Sequence, residues 1–307
     1  MSKHRAVIAV ASSLIATAAT AAPAEQVLTV PGFADFITVD GESVWVTNKG
    51  RVERWSRQGK QAEVALPKPC GTMALTPGAL WVADCGAKTI SRIDTATNKI
   101  VAVIPTGLAS PDGEMNVVAG AGSVWVASDA TGVVSRIDPA TNKVVATAKV
   151  EPGSCYLAFG LDALWVVSAA SQTLQKVDPV TNAAVWTTKL GRAPGFLAAG
   201  EGSVWVQEQG DGTLARIDPK SGAITGRAQI DKTLKWGDID TGSGRVWLRT
   251  TLGQTFVVVA ADSLAILARV GKAEGSGALR YTPAGIWTSA HDVHTLTFWP
   301  DPGAIGK

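Results

Sequence analysis

A tryptophan between aliphatic residues recurs in the segments SVWV, ALWV, SVWV, ALWV, SVWV, RVWL and GIWT, at Trp45, Trp81, Trp125, Trp165, Trp205, Trp247 and Trp287. The intervals are 36, 44, 40, 40, 42 and 40 residues. A period near 40 confines the chain to a solenoid or a propeller, because each repeat must bury its apolar face against a neighbour. The third repeat, MNVVAGAGSVWVASDATGVVSRIDPATNKVVATAKV, separates into four short apolar runs joined by AG, DATG and PATN. The β-branched runs and turn-rich joints predict strands, and nothing has the period of an amphipathic helix. Four antiparallel strands per repeat make one propeller blade. Each tryptophan is then a strand residue that packs blade on blade.

The last repeat supplies only three strands, around ALRYT, GIWTSA and HTLTFW, and its tail PDPGAIGK offers no fourth. Near the other end, EQVLTVPG resembles the fourth-strand segments VVATAKVEPG and IVAVIPTG. Residues near 25–31 are therefore expected to complete the seventh blade, which closes the ring and removes an open edge. The expected fold is all-β: one seven-bladed propeller of four-stranded antiparallel blades over residues 22–307. Ahead of it, Lys3 and Arg5 precede the apolar stretch AVIAVASSLIATAATA, and Ala19-Thr20-Ala21 fits a cleavage site. Residues 1–21 read as a secretory signal, too short and alanine-rich to span a membrane. The expected location is the periplasm or the exterior, after cleavage near Ala21. Losing Lys3 and Arg5 leaves 26 of the 28 basic residues against 26 acidic ones, which argues against a nucleic-acid partner. A monomer is expected.

Several motifs have structural readings. Asp94, Asp138 and Asp218 follow the third strands in SRIDT, SRIDP and ARIDP, where a short carboxylate can accept backbone N–H bonds and start a turn. Cys70 and Cys85 bracket the hairpin CGTMALTPGALWVADC; a turn at Pro77-Gly78 sets them opposite one another and predicts a disulfide. Cys155 is left as an unpaired, buried thiol.

The ligand-bearing end of such a ring carries the loops between second and third strands and those entering each first strand. Nine residues before the tryptophans lie Phe36, Thr72, Asn116, Tyr156, Phe196, Asp238 and Ala278. The longer-looking turn TGSGR makes Trp236 an alternative to Asp238 in the sixth repeat. Phe36, Asn116, Tyr156, Phe196 and Trp236 suggest a mixed apolar and polar mouth for a small molecule, glycan or peptide, or else a filled channel. The loops add Lys49, Asp35, Lys68, Asp112, Glu114, Lys235 and Arg280, the last of these also a substrate-binding candidate. The stretch SAHDVHTLTF holds His291 and His294, with His4 the remaining histidine of the chain. His291 is expected to end a second strand and His294 to begin a third. Either could act as a general base, with Glu208 orienting the imidazole and Arg249 steadying an oxyanion. Asp84, Glu208 and His294 are candidate ligands for a divalent cation such as Mg or Ca; no other cofactor motif is evident. Two solvated hairpin histidines fit the same pattern, and both readings stay open.

The segments SVWVASDATGVVSRIDPATNKVVATAKVEPG and SVWVQEQGDGTLARIDPKSGAITG resemble bacterial YVTN-type propellers and the virginiamycin B lyase-like group. The resemblance covers residues 22–307 and rests on scaffold motifs. It implies a seven-bladed ring. In the lyase it also implies metal-assisted β-elimination with a Glu-x-His in a late blade, where this chain has Asp292-Val293-His294. By that match His294 takes the base role, while the lyase's further histidine from another blade has no counterpart. The lyase form GPDG-x-x-WF is also replaced here by forms such as GEGSVWV. A different elimination or hydrolysis on the same ring is the activity the resemblance leaves open, beside a purely binding role.

Overall fold

A computed structural model describes residues 25–235 and 237–307; the segment read as a secretory signal and Trp236 lie outside the described residues. Seven four-stranded antiparallel sheets follow one another along the chain. Blade one runs Ile37–Asp40, Ser43–Asn48, Arg51–Ser56 and Gly59–Ala65, innermost strand first. Blade seven is built from Leu279–Thr282, Gly285–Ala290 and Thr295–Pro300, and its outermost strand is Gln26–Thr29. Gln26 faces Phe298 and Thr29 faces Thr295, so the expected closure is present. Among the described residues no helix is long and apolar enough to cross a membrane.

None of the seven tryptophans is more than 2 % exposed. Each packs into the following blade. Trp125 meets Leu157 and Leu164 of blade four, Trp205 meets Ile239 and Val246 of blade six, and Trp287 meets Ile37 and Val44 of blade one. A buried indole N–H needs an acceptor, and the hairpin that precedes the tryptophan provides one in the first six repeats. Trp125, Trp165, Trp205 and Trp247 donate to the carbonyl five residues earlier, at 2.8–3.2 Å. The third strand adds a cation over the ring. Arg92 lies over Trp81, Arg136 over Trp125 and Lys176 over Trp165, at 5.2–5.6 Å. The same side chains continue into the next blade. Arg92 donates to Pro139 O, Arg136 to Pro179 O and Lys176 to Pro219 O, at 2.8–3.0 Å. The arginine of SRID is thus an interblade latch. Its aspartate caps the turn as expected: Asp94 Oδ1 accepts from the N–H groups of Ala96 and Thr97, and Asp218 Oδ1 from those of Lys220 and Ser221.

Two register expectations are corrected. Cys70 and Cys85 are bonded, with Cα atoms 6.0 Å apart, but they are not directly opposed. Cys70 faces Ala83, because the register shifts between Cys70 and Ala74. Gly71 causes the shift: its φ is +70°, and a Cβ there would collide with the carbonyl oxygen of Met115. The TGSGR turn is also no longer than the others. Gly242 faces Arg245 across a two-residue turn, as Gly120 faces Ser123, with positive φ at Ser243 and Gly244. Asp240 therefore faces Trp247 as Thr38 faces Trp45, and Asp238 is the in-register equivalent of Phe36.

Removing one interblade indole tests this architecture. Trp125→Ala is expected to lower unfolding stability by about 3–5 kcal/mol, measured by denaturant titration. A loss within the range of ordinary surface substitutions would contradict it.

Candidate functional site

The seven positions set nine residues before the tryptophans form a layer around the ring axis. Phe36 of blade one and Phe196 of blade five meet across it, with centroids 6.4 Å apart, and Tyr156 of blade four lies 4.9 Å from Phe196. Asn116 Nδ2 donates to Thr72 Oγ1 at 3.0 Å in the same layer. Phe36 and Phe196 are buried. These aromatics plug the channel, and a cavity opens on either side. The one toward the first hairpins, about 280 Å³, is lined by Thr72, Asn116, Phe196, Asp238 and Arg280. The other, about 320 Å³, opens among the long loops and is lined by Phe33, Asp35, Phe36, Lys49, Lys68, Cys70 and Glu114. The substrate-binding candidates are split by this plug. Phe36 lines the upper cleft, whereas Asn116, Phe196 and Arg280 line the lower cavity. Arg280 is not a loop residue: it stands within Leu279–Thr282 and pairs with Asp238 at 2.5 Å. Trp236 lies outside the described residues.

The upper cleft is held by its own loop bonds. Asn48 Oδ1 accepts from the N–H groups of Phe33 (2.5 Å) and Lys49 (2.8 Å), and its Nδ2 donates to Pro31 O (3.0 Å). Phe33 is thereby fixed over the mouth, and Lys49 Nζ lies 5.6 Å from its ring. The Ser289 hydroxyl donates to the backbone carbonyl of Asp35 and accepts from Ala278 N, which ties blade one to blade seven.

Two carboxyl groups, Asp35 of blade one and Glu114 of blade three, line the upper cleft. Burial raises Asp35 to about 7, and Glu114, Asp238 and Asp292 add to the shift by repulsion. Part of Asp35 opens on the cleft, yet protein encloses its carboxyl on most sides, and no described residue donates a hydrogen bond to it. Burial also raises Glu114; the Tyr156 hydroxyl, 3.4 Å from its Oε2, opposes this and Asp238 adds to it. Asp238, by contrast, is fully engaged: its carboxylate accepts from Arg280, Leu279 N and Ile239 N. Burial, then Glu114, pushes the Cys155 thiol up to about 11 and the Tyr156 hydroxyl higher still, so both stay protonated at neutral pH. A protonated thiol is a poor nucleophile.

The residues named for catalysis occupy two regions. His291 and His294 both lie in the turn between Gly285–Ala290 and Thr295–Pro300, rather than on the strands. His294 is exposed, with φ +58°, and its carbonyl accepts from Val30 N. The His291 ring stacks on Phe33 at 3.9 Å, and its Nδ1 lies 3.1 Å from Asp292 Oδ1 without hydrogen-bond alignment. Burial lowers its pKa; Asp292 opposes this, while Arg249 and His294 reinforce it. Arg249 is buried and donates to Thr255 O at 2.9 Å and to Ser289 O at 3.2–3.3 Å. Desolvation lowers it to about 10, with Glu274, Asp292 and Asp238 opposing. Glu208 belongs to blade five and lies apart from this group. It receives both Arg227 nitrogens (2.7 and 3.0 Å), Thr213 Oγ1 (2.6 Å) and Gly191 N (2.7 Å). Burial raises its pKa, but those donors outweigh it and the net shift is downward. Asp84 caps its own turn through Gly86 N and Ala87 N. Asp84, Glu208 and His294 thus sit on blades two, five and seven. Among the described residues, no three His, Cys, Asp or Glu side chains are grouped to hold a metal ion.

Sequence reasoning noted Asp35 and Glu114 only as loop charges. The available signal was their position: Asp35 immediately precedes the layer residue Phe36, and Glu114 lies two residues before Asn116.

No protein-family model and no curated protein sequence matches the chain. Solved structures do. A virginiamycin B lyase from Staphylococcus aureus is 18% identical with a TM-score of 0.74, covering 90% of this chain and 99% of its own. A streptogramin B lyase is 17% identical at 0.75, covering 91% and 97%. Kuenenia stuttgartiensis hydrazine synthase is 13% identical at 0.71, covering 96% and 100%. At these identities the likeness is one of fold.

Asp35 gives a pH test with a definite sign. Its folded pKa lies above the unfolded value, so the folded state holds more protons between about pH 4 and 7 and loses stability as pH rises through that window. Asp35→Asn is expected to raise the melting temperature at pH 8 and to leave it near the parent value at pH 4. The gain at pH 8 is bounded at about 4 kcal/mol. An equal effect at both pH values in thermal unfolding would contradict the assignment.

Proposed function

We propose that the chain is a secreted or periplasmic binding module, acting as a monomer, whose ligand occupies the upper cleft at the channel mouth. The observation that carries this reading is the cleft itself. It is blocked below by Phe36 and Phe196, walled by Phe33, and floored by a carboxyl with no donor of its own. Concave sites of this size, mostly apolar with a few convergent polar groups, are where small ligands bind. The compartment is supported by the leader-like start of the sequence and by the Cys70–Cys85 bond, which persists in oxidising surroundings. Geometry favours binding over proton abstraction. His291 stacks behind Phe33 and does not line the cleft, and Glu208 is consumed by Arg227.

A thermal-shift screen of small molecules against the parent and Pro67→Trp tests this. Pro67 is an exposed residue of the rim, and the indole narrows the opening without touching the core. Ligands are expected to stabilise the parent, by about 2.7 kcal/mol at a hundredfold excess over Kd, and to lose their effect in the variant. Stabilisation that survives Pro67→Trp unchanged would place the site elsewhere.

A further inference from the structure

We infer that the upper cleft is built for a small zwitterion, whose ammonium group is taken by Asp35 and Glu114 and whose acidic group stays at the rim with Lys49 and Lys68. This rests on the binding reading above and names its ligand class.

The sign of charge changes with depth. Asp35 and Glu114 belong to the segments that lead directly into the plugging layer, and both line the cleft. Lys49 and Lys68 belong to the outer loops and are exposed. A ligand entering cation first meets carboxyls at the floor and leaves its anion beside ammonium groups.

The floor lacks donors. From the described residues Asp35 receives none, and Glu114 receives only the long Tyr156 bond of 3.4 Å. An ammonium group brings three N–H donors and no acceptor, which matches two carboxyls short of donors. A cation there also relieves the repulsion that Glu114, Asp238 and Asp292 exert on Asp35. No cation among the described residues does this job. Arg280 is turned to Asp238, below the plug, and Arg249 is held by the carbonyls of Ser289 and Thr255.

The walls and rim suit the rest of such a ligand. Phe33 and Phe36 line the cleft, and aromatic rings attract both apolar groups and cations. Lys49 has no ion-pair partner among the described residues, and its Nζ rests over the Phe33 ring. Lys68 pairs with Asp112 at 3.2 Å, but both side chains are exposed and such a pair exchanges readily. A volume of about 320 Å³ suits a molecule the size of an amino acid.

The test is calorimetric titration of the whole chain near about pH 7.5 with alanine, leucine and phenylalanine, with phenylethylamine (no carboxylate), and with N-acetylphenylalanine (no ammonium). At least one amino acid is expected to bind, phenylethylamine to bind several-fold more weakly than phenylalanine, and N-acetylphenylalanine not to bind. Asp35→Asn, a variant expected to fold at least as stably as the parent, should weaken amino acid and amine alike by about tenfold or more. Glu114→Gln should do so independently. Lys49→Ala combined with Lys68→Ala should bring phenylalanine down to the level of phenylethylamine and leave the amine unchanged. The zwitterion is overturned if no amino acid binds, if N-acetylphenylalanine binds as tightly as phenylalanine, or if Asp35→Asn changes nothing. Binding of a neutral or anionic compound that Pro67→Trp abolishes would overturn the zwitterion alone and keep the cleft as the site. Binding of every compound unaffected by Pro67→Trp would overturn both.

Discussion

No blade of this protein can bury its own tryptophan. Each indole leaves its sheet and is covered by the next, so a single blade has no core, and the ring exists only when all seven are stacked. The surrounding devices follow from that burial. The indole N–H is satisfied by the preceding hairpin, and the third-strand cation covers the ring before reaching the next blade. The seventh interface is completed by Gln26–Thr29, which pairs with Thr295–Phe298 and leaves Val30 buried. Closure therefore protects a core as well as a sheet edge.

The proposed site lies where the repetition fails. The periphery of the ring is nearly regular, but the seven positions of the innermost layer carry six different residue types. Phenylalanines from blades one and five close the channel, and tyrosine from blade four leans on them. Above this plug the approach segments of blades one and three contribute carboxyls, of which Asp35 has no donor among the described residues and Glu114 has only the Tyr156 hydroxyl. Below it Asp238 and Arg280 satisfy each other. Two cavities of similar volume thus differ in chemistry: one is internally neutralised, the other is left wanting a cation.

The strand count, the closure and the disulfide were legible because they depend on local pattern. Tryptophan spacing counts blades, and EQVLTVPG matches the missing strand type. Register was less legible. The shift at Gly71 comes from a contact with Met115 of the following blade, which no hairpin rule foresees, and TGSGR contains an ordinary two-residue turn despite its appearance. The site was only partly legible. His291 and His294 stand out by rarity, and Asn48 reads as one more loop residue. The behaviour of Asp35 depends first on its burial and then on Glu114, Asp238 and Asp292, which come from three other blades. Their convergence is a property of ring closure rather than of any segment. Glu208 misled for the complementary reason: its partner Arg227 is a fourth-strand residue with no motif to mark it.

The chemistry proposed for the channel mouth turns on one carboxyl, that of Asp35, enclosed there without a donor among the described residues. The most direct measurement is an NMR titration of the Asp35 side-chain carboxyl carbon in the unliganded protein. A midpoint near 7 is the result this account predicts. A midpoint near 4, the value of a freely solvated aspartate, would mean that the mouth is open to water and would contradict it.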